Sequence, residues 1–111
     1  MMEEIHGKAD FLQKVSSAKV VVIDFSATWC GPCQMLTPIL KDLSQEFKEK
    51  GSPVAFFGCD VDENREVATE FKITAVPSVA MFKNGEWQSD LIVGVRGKDT
   101  YRNEIENLLK D

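Results

Sequence analysis

Apolar and polar positions along the chain switch between a helical and a strand-like period, and the switches divide the sequence into elements. Phe11, Val15 and Ala18 recur at helical spacing and predict a first helix from about Lys8 to Ala18. Val20 to Phe25 is a short β-branched run, the pattern of a strand buried on both faces. Trp29 to Pro32 breaks that run. Leu36, Leu40, Leu43 and Phe47 then repeat at steps of four, three and four, which predicts a long amphipathic helix. Pro38 falls inside it and should kink it, because proline has no N–H and its ring crowds the preceding turn. Gly51 to Pro53 end the helix and Val54 to Cys59 read as a second strand. A strand, a helix and a strand in succession form a right-handed parallel crossover by expectation.

Val67, Ala68 and Phe71 predict a third helix with Asp62 or Asn64 as its cap. Pro77 closes the loop that follows. Ser78 to Phe82 reads as a strand, Asn84-Gly85 as a hairpin turn, and Trp87 to Val93 as the partner strand. Tyr101, Ile105, Leu108 and Leu109 share one face of a C-terminal helix, and a further short strand near Ile5 carries a weaker signal. The sum is an α/β layered domain with a mixed sheet, since the hairpin must be antiparallel.

Composition narrows what such a domain does. At 111 residues, with 43% hydrophobic and 28% charged, the chain fits one globular domain over 1–111. The net charge of −5 and the absence of a basic stripe argue against nucleic acid as a partner. The longest aliphatic run, Val20 to Ile23, is far too short to span a bilayer. The Met-Met-Glu-Glu start lacks the basic and then apolar pattern of a signal peptide. Three cysteines are few and odd for a secreted scaffold, which points to a reducing, cytoplasmic setting. In that setting cysteines are catalytic, metal-binding or simply buried.

Cys30-Gly31-Pro32-Cys33 follows a predicted strand and opens a predicted helix. A sulfur at a helix N-terminus is favoured as thiolate by free N–H groups and the helix dipole. Cys30 is therefore expected to be the exposed nucleophile. Cys33, one turn on, is expected to be the shielded sulfur that resolves a mixed disulfide. Pro32 fixes φ in the turn between them. The alternatives are half of a zinc site or a structural disulfide. Zinc needs two more ligands, and His6 and Cys59 lie scattered outside ligand spacing, so no metal is expected. Asp24 sits in the apolar strand six residues before Cys30. If buried, its pKa rises and it can exchange protons with Cys33; if the strand faces solvent there, it is an ordinary carboxylate. Pro77, on its residue type alone, is a turn proline in the default trans form.

These residues carry a resemblance to the thioredoxin family that spans nearly the whole chain. Asp24-Phe25-Ser26-Ala27-Thr28-Trp29-Cys30-Gly31-Pro32-Cys33 resembles the family signature, and Gly-Pro between the cysteines is the thioredoxin version of it. Pro38, Val76-Pro77, Phe82-Lys83-Asn84-Gly85 and Gly94 match further family positions. The resemblance implies a central mixed sheet of about five strands flanked by four helices. It implies that Asp24 handles protons and that Pro77 is cis. It also implies that Trp29, Gly31, Pro32, Val76, Pro77, Val93 and Gly94 form a flat apolar patch around Cys30, where the Val76 backbone pairs with an extended substrate. The implied activity is reduction of protein disulfides, such as those of peroxiredoxins, by the Cys30/Cys33 dithiol. No bound cofactor is expected beyond that redox-active disulfide. An NADPH-dependent thioredoxin reductase would restore the dithiol, and a monomer is expected. Two positions depart from the pattern. Gln34 stands where many relatives carry a lysine or arginine. Gly58 stands where some bacterial members place a lysine beside the buried aspartate, so proton transfer through Asp24 should depend on burial and water. Cys59 is expected to pack as a small hydrophobe, His6 to be a surface residue, and Trp87 to pack on the sheet. A docking module with incidental cysteines, and a disulfide former or isomerase, are the competing functions.

Overall fold

The β-branched run at Val20–Ser26 forms a central strand (β2), and the computed structural model, which describes residues 2–88 and 90–110, arranges the rest around it. The remaining strands are Glu3–Glu4 (β1), Val54–Asp60 (β3), Ser78–Lys83 (β4), Glu86–Trp87 (β5) and Ile92–Val93 (β6). The helices are Lys8–Lys14 (α1), Gly31–Glu49 (α2), Arg65–Glu70 (α3) and Lys98–Leu109 (α4). The sheet runs β1-β3-β2-β4-β5, with β6 also pairing β4. Strands β1, β3 and β2 are parallel, and β4 is antiparallel to β2. The register sets Glu4 beside Gly58, Gly58 beside Asp24, and Asp24 beside Val79.

Successive residues of β2 point to opposite faces of the sheet, so each face gathers its own core. Val21, Ile23 and Phe25 pack with Phe11 of α1 and Val67 of α3. Phe11, Phe71, Phe82 and Trp87 form a cluster of tilted and edge-on rings 5.1 to 5.8 Å apart on that side, which is the sheet packing expected of Trp87. Val20 and Val22 pack on the other side with Leu36, Leu40, Leu43 and Phe47 of α2 and Tyr101 and Ile105 of α4. Asp24 shares their parity and so faces α2.

The structure redraws several expected boundaries. Helix α1 stops at Lys14 rather than Ala18, because Ser17 turns back and gives both its N–H and its hydroxyl to the Lys14 carbonyl. Asn64 occupies the N-cap position of α3, but its side chain does not cap the helix. Its Oδ1 accepts from Gly7 N–H at 2.7 Å, and its Nδ2 donates to the carbonyls of Ile5 and Asp60. The expected strand from Trp87 to Val93 is two short pieces, because Gln88 and Asp90 close a turn between them; Ser89 lies outside the described residues. Among the described residues the count is therefore six strands with four helices. The hairpin turn has φ +52° at Asn84 and +82° at Gly85, the left-handed pair that the Asn-Gly sequence favours. Pro38 lies inside α2, which continues through it to Glu49.

Candidate active site

Cys30 is the N-cap residue of α2, with the extended backbone that a cap requires (φ −92°, ψ 111°). Its sulfur accepts a hydrogen bond from the Cys33 N–H at 3.2 Å, the geometry by which a helix N-terminus holds an anion. Pro32 occupies the first turn, where a missing N–H costs nothing. Cys30 and Cys33 are joined as a disulfide with Cα atoms 5.3 Å apart. Ala27 packs with the pair, and Val61 and Val76 close over it. The Cys30 sulfur lies 3.8 Å from the Val76 carbonyl; an oxidised sulfur has no proton to donate, so this contact becomes a hydrogen bond only with a thiol. The expectation of an exposed Cys30 beside a shielded Cys33 needs correction. Cys30 is 4% exposed and Cys33 3%, because this apolar collar covers both sulfurs in the disulfide state.

The Val76–Pro77 bond is cis. Gly94, at φ +85°, donates its N–H to the Pro77 carbonyl at 2.9 Å, and β6 places Val93 beside Ser78. The Tyr101 hydroxyl braces this turn by donating to the Gly94 carbonyl and accepting from Arg96 N–H. Trp29 is 70% exposed, and its indole N–H is held by Asp62 at 2.9 Å. Val93 is 44% exposed, and Gly31 and Pro32 are exposed at the helix mouth. Trp29, Gly31, Pro32, Val76, Pro77, Val93 and Gly94 thus lie on three segments: the 29–33 turn that carries the disulfide, the 76–77 loop whose Val76 packs against it, and the 93–94 turn bonded to that loop.

Asp24 is 2% exposed, and its Oδ1 has no hydrogen-bond partner. Burial, reinforced by the nearby Glu4 charge, pushes its carboxyl up to about 7. It borders a cavity of about 210 Å³ lined also by Met2, Glu4, Ser26, Thr37, Lys41 and Gly58. That volume has room for several waters, and its walls are polar enough to hold them. Thr37 connects cavity and cysteines, since its hydroxyl donates to the Cys33 carbonyl at 3.0 Å. Sequence reasoning missed Glu4, Thr37, Val61 and Asp62. Thr37 lay inside the predicted long helix and Asp62 was a candidate helix cap, but nothing in the sequence tied either to the site, and no spacing joins Glu4 to Asp24.

Cys59 is fully buried, and burial pushes its thiol up to about 12, so it behaves as an inert small hydrophobe. His6 is exposed and pairs with Glu63. Among the described residues no cluster of three or more His, Cys, Asp or Glu could hold a metal ion, and no helix is long and apolar enough to cross a membrane.

A disulfide capping a helix, covered by the 76–77 loop at one end of the central strands of a mixed sheet, defines a thiol–disulfide oxidoreductase. The thioredoxin family model matches residues 3–107. Thioredoxin H-type from Fagopyrum esculentum is 42% identical over 95 residues, covering 86% of this chain and 77% of that protein. A mutant thioredoxin from Halobacterium salinarum NRC-1 superposes with a TM-score of 0.88 at 31% identity, covering 98% of this chain and 91% of that one. A structure titled for the thiol resolving mechanism in yeast mitochondrial 1-Cys peroxiredoxin via glutathione/thioredoxin systems gives 0.84 at 31%, covering 96% and 94%. The chain belongs to the thioredoxin family. It has the thioredoxin fold and is an oxidoreductase that reduces protein disulfides through its Cys30–Cys33 pair.

Proposed function

We propose that Cys30 is the attacking sulfur, Cys33 the resolving sulfur and Asp24 the group that handles the proton. Reduced Cys30, as thiolate, attacks a substrate disulfide; one S–S bond breaks, a mixed disulfide forms, and one substrate sulfur leaves as thiolate. Cys33 loses its proton and attacks the Cys30 sulfur. The Cys30–Cys33 disulfide closes, and the second substrate sulfur leaves. Two electrons have passed to the substrate. A carboxyl that titrates near neutrality is matched to taking and returning the Cys33 proton in this step. The observation that carries the reading is the Cys30 sulfur at the helix mouth, accepting the Cys33 N–H with the Cys33 sulfur already within bonding reach.

The apolar collar bears on recognition. Trp29, Val76, Pro77, Val93 and Gly94 form the substrate-facing surface, with the Val76 backbone as the edge along which an extended segment pairs. Gly31 and Pro32 set the turn and leave the sulfurs approachable from one side. We read residues 1–111 as one domain, acting as a monomer in the cytoplasm. Its reductant is an NADPH-dependent thioredoxin reductase. Its targets are protein disulfides such as those of peroxiredoxins, in keeping with the peroxiredoxin context of one structural neighbour.

The test is insulin reduction with thioredoxin reductase and NADPH. The parent is expected to turn over and Cys30→Ser to be inactive. Cys33→Ser should stop at a covalent adduct with insulin, visible by mass spectrometry. Turnover by Cys33→Ser at the parent rate would refute the assignment of roles, and an inactive parent would refute the reductase pairing.

A further inference from the structure

Strand β1 brings a second carboxylate to the proton-handling site. Gly58 lies between Glu4 and Asp24 in the register of three parallel strands, and its missing side chain leaves an opening on the face toward α2. The Glu4 side chain fills that opening. A Cβ at position 58 would lie 3.0 Å from Glu4 Cδ and collide with Oε2. The Glu4 carboxylate therefore lies over β3, about one strand spacing of 4.8 Å from β2. It shares the 210 Å³ cavity with Asp24, whose buried Oδ1 has no partner of its own. Glu4 is otherwise exposed, so one end of this arrangement meets solvent and the other is sealed.

We propose that Glu4 is a positioning residue of the redox reaction: its carboxylate, laid over Gly58, faces Asp24 across the cavity, governs its ionisation and passes its proton to and from solvent. The proposal rests on the reading of Asp24 as the proton-handling group. Two carboxylates sharing a wet cavity disfavour double ionisation, so one keeps its proton to higher pH. Glu4 is the outer member, and its own carboxyl is raised, first by burial and then by Asp60 and Glu63, against the lowering effects of His6 and Lys41. The charged and titratable groups around the pair are these, with Lys41 of α2 on the cavity wall, and Tyr101 of α4 and Cys59 of β3 within the field of Asp24. Proton movement is balanced: Cys33 gives its proton to ionised Asp24, protonated Asp24 releases it by way of the cavity, and Glu4 hands it to bulk water.

An inward-turned charge on an edge strand also discourages edge-to-edge pairing. That role would alter aggregation but not a carboxyl titration. The experiment follows the Asp24 carboxyl by carbon NMR against pH in the oxidised protein, in the parent, Glu4→Gln and Glu4→Lys. It also follows the pH profile of insulin reduction. Removing the Glu4 charge should lower the Asp24 midpoint by roughly one pH unit, the size of a like charge at this distance in a partly solvated site. Glu4→Lys should lower it further, and the acid limb of the rate profile should move the same way. An unchanged Asp24 midpoint, or a moved midpoint with an unmoved rate profile, overturns the proposal. The titration needs no substrate, so a parent that fails to reduce insulin would count against the functional reading alone.

Discussion

At the scale of single residues, a carboxyl whose ionisation moves from 3.8 to about 7 on folding ties proton binding to stability. The unfolded chain releases the Asp24 proton near pH 4, whereas the folded chain keeps it to about pH 7. Between these values the native state binds more protons, so stability falls as pH rises through that window and levels off above it. A shift of this size corresponds to at most about 4 kcal/mol. Asp24→Asn removes the ionisation. It is expected to raise stability over the parent by a few kcal/mol at pH 8 and by much less at pH 4, measured by urea unfolding at both pH values. Equal gains at the two pH values would show that the carboxyl ionises alike in the folded and unfolded chain, so that burial does not raise it. This residue was legible in the sequence because a lone carboxylate in the apolar run Val20–Phe25 is conspicuous. Glu4 was not, because its relation to Asp24 passes through β1, two residues long, and an opening that only the register reveals. The covering of Cys30 was equally hidden, since it comes from Val61 and Val76, 31 and 46 residues away in sequence.

At the scale of elements, legibility followed the strength of the local period. Strand β2, helix α2 and the Asn84-Gly85 hairpin stand close to where the sequence puts them, because β-branching, a repeat of four and three, and a left-handed turn pair each act locally. Elements whose ends depend on side chains bonding to backbone were misread. Ser17 ends α1 early, and Asn64 leaves its helix uncapped to bind three backbone groups across two elements. Those bonds fasten the turn after β1 to the loop before α3. Asn64 is 3% exposed, so Asn64→Ala leaves Gly7 N–H and the Ile5 carbonyl short of a partner, while the Asp60 carbonyl keeps the backbone N–H of residue 64. It should cost at least about 2 kcal/mol by chemical unfolding. Local opening should concentrate at β1 and α1, read as faster amide exchange of Ile5 and Phe11 than of Val22. A uniform rise across the chain would mean that Asn64 supports the fold globally rather than this junction.

At the scale of the whole molecule, the sheet order brings together at one end of β2 and β4 three segments that are far apart in sequence: the 29–33 turn, the 76–77 loop and the 93–94 turn. Their meeting was implied by family resemblance and not by spacing, because the contacts are set by parallel and antiparallel register across β2. The consequence concerns what reaches the sulfurs. They are nearly covered, whereas Trp29 and Val93 are exposed; on the proposed reading of these residues as the substrate-facing surface, a protein substrate is expected to settle on apolar surface before its disulfide meets Cys30. A small disulfide needs no such seat. Val93→Asp places a charge on that seat without touching the cysteines, the cap or Asp24. Loss of a partly buried valine contact is worth about 1.5 kcal/mol, which corresponds to roughly a 10-fold fall in kcat/KM. That fall is expected for insulin and carried by KM, while hydroxyethyl disulfide is reduced within about two-fold of the parent rate. An equal loss on both substrates would mean that the substitution disturbs the 93–94 turn and, through the Gly94–Pro77 hydrogen bond, the sulfurs themselves; the apolar surface would then have no separate part in choosing substrates.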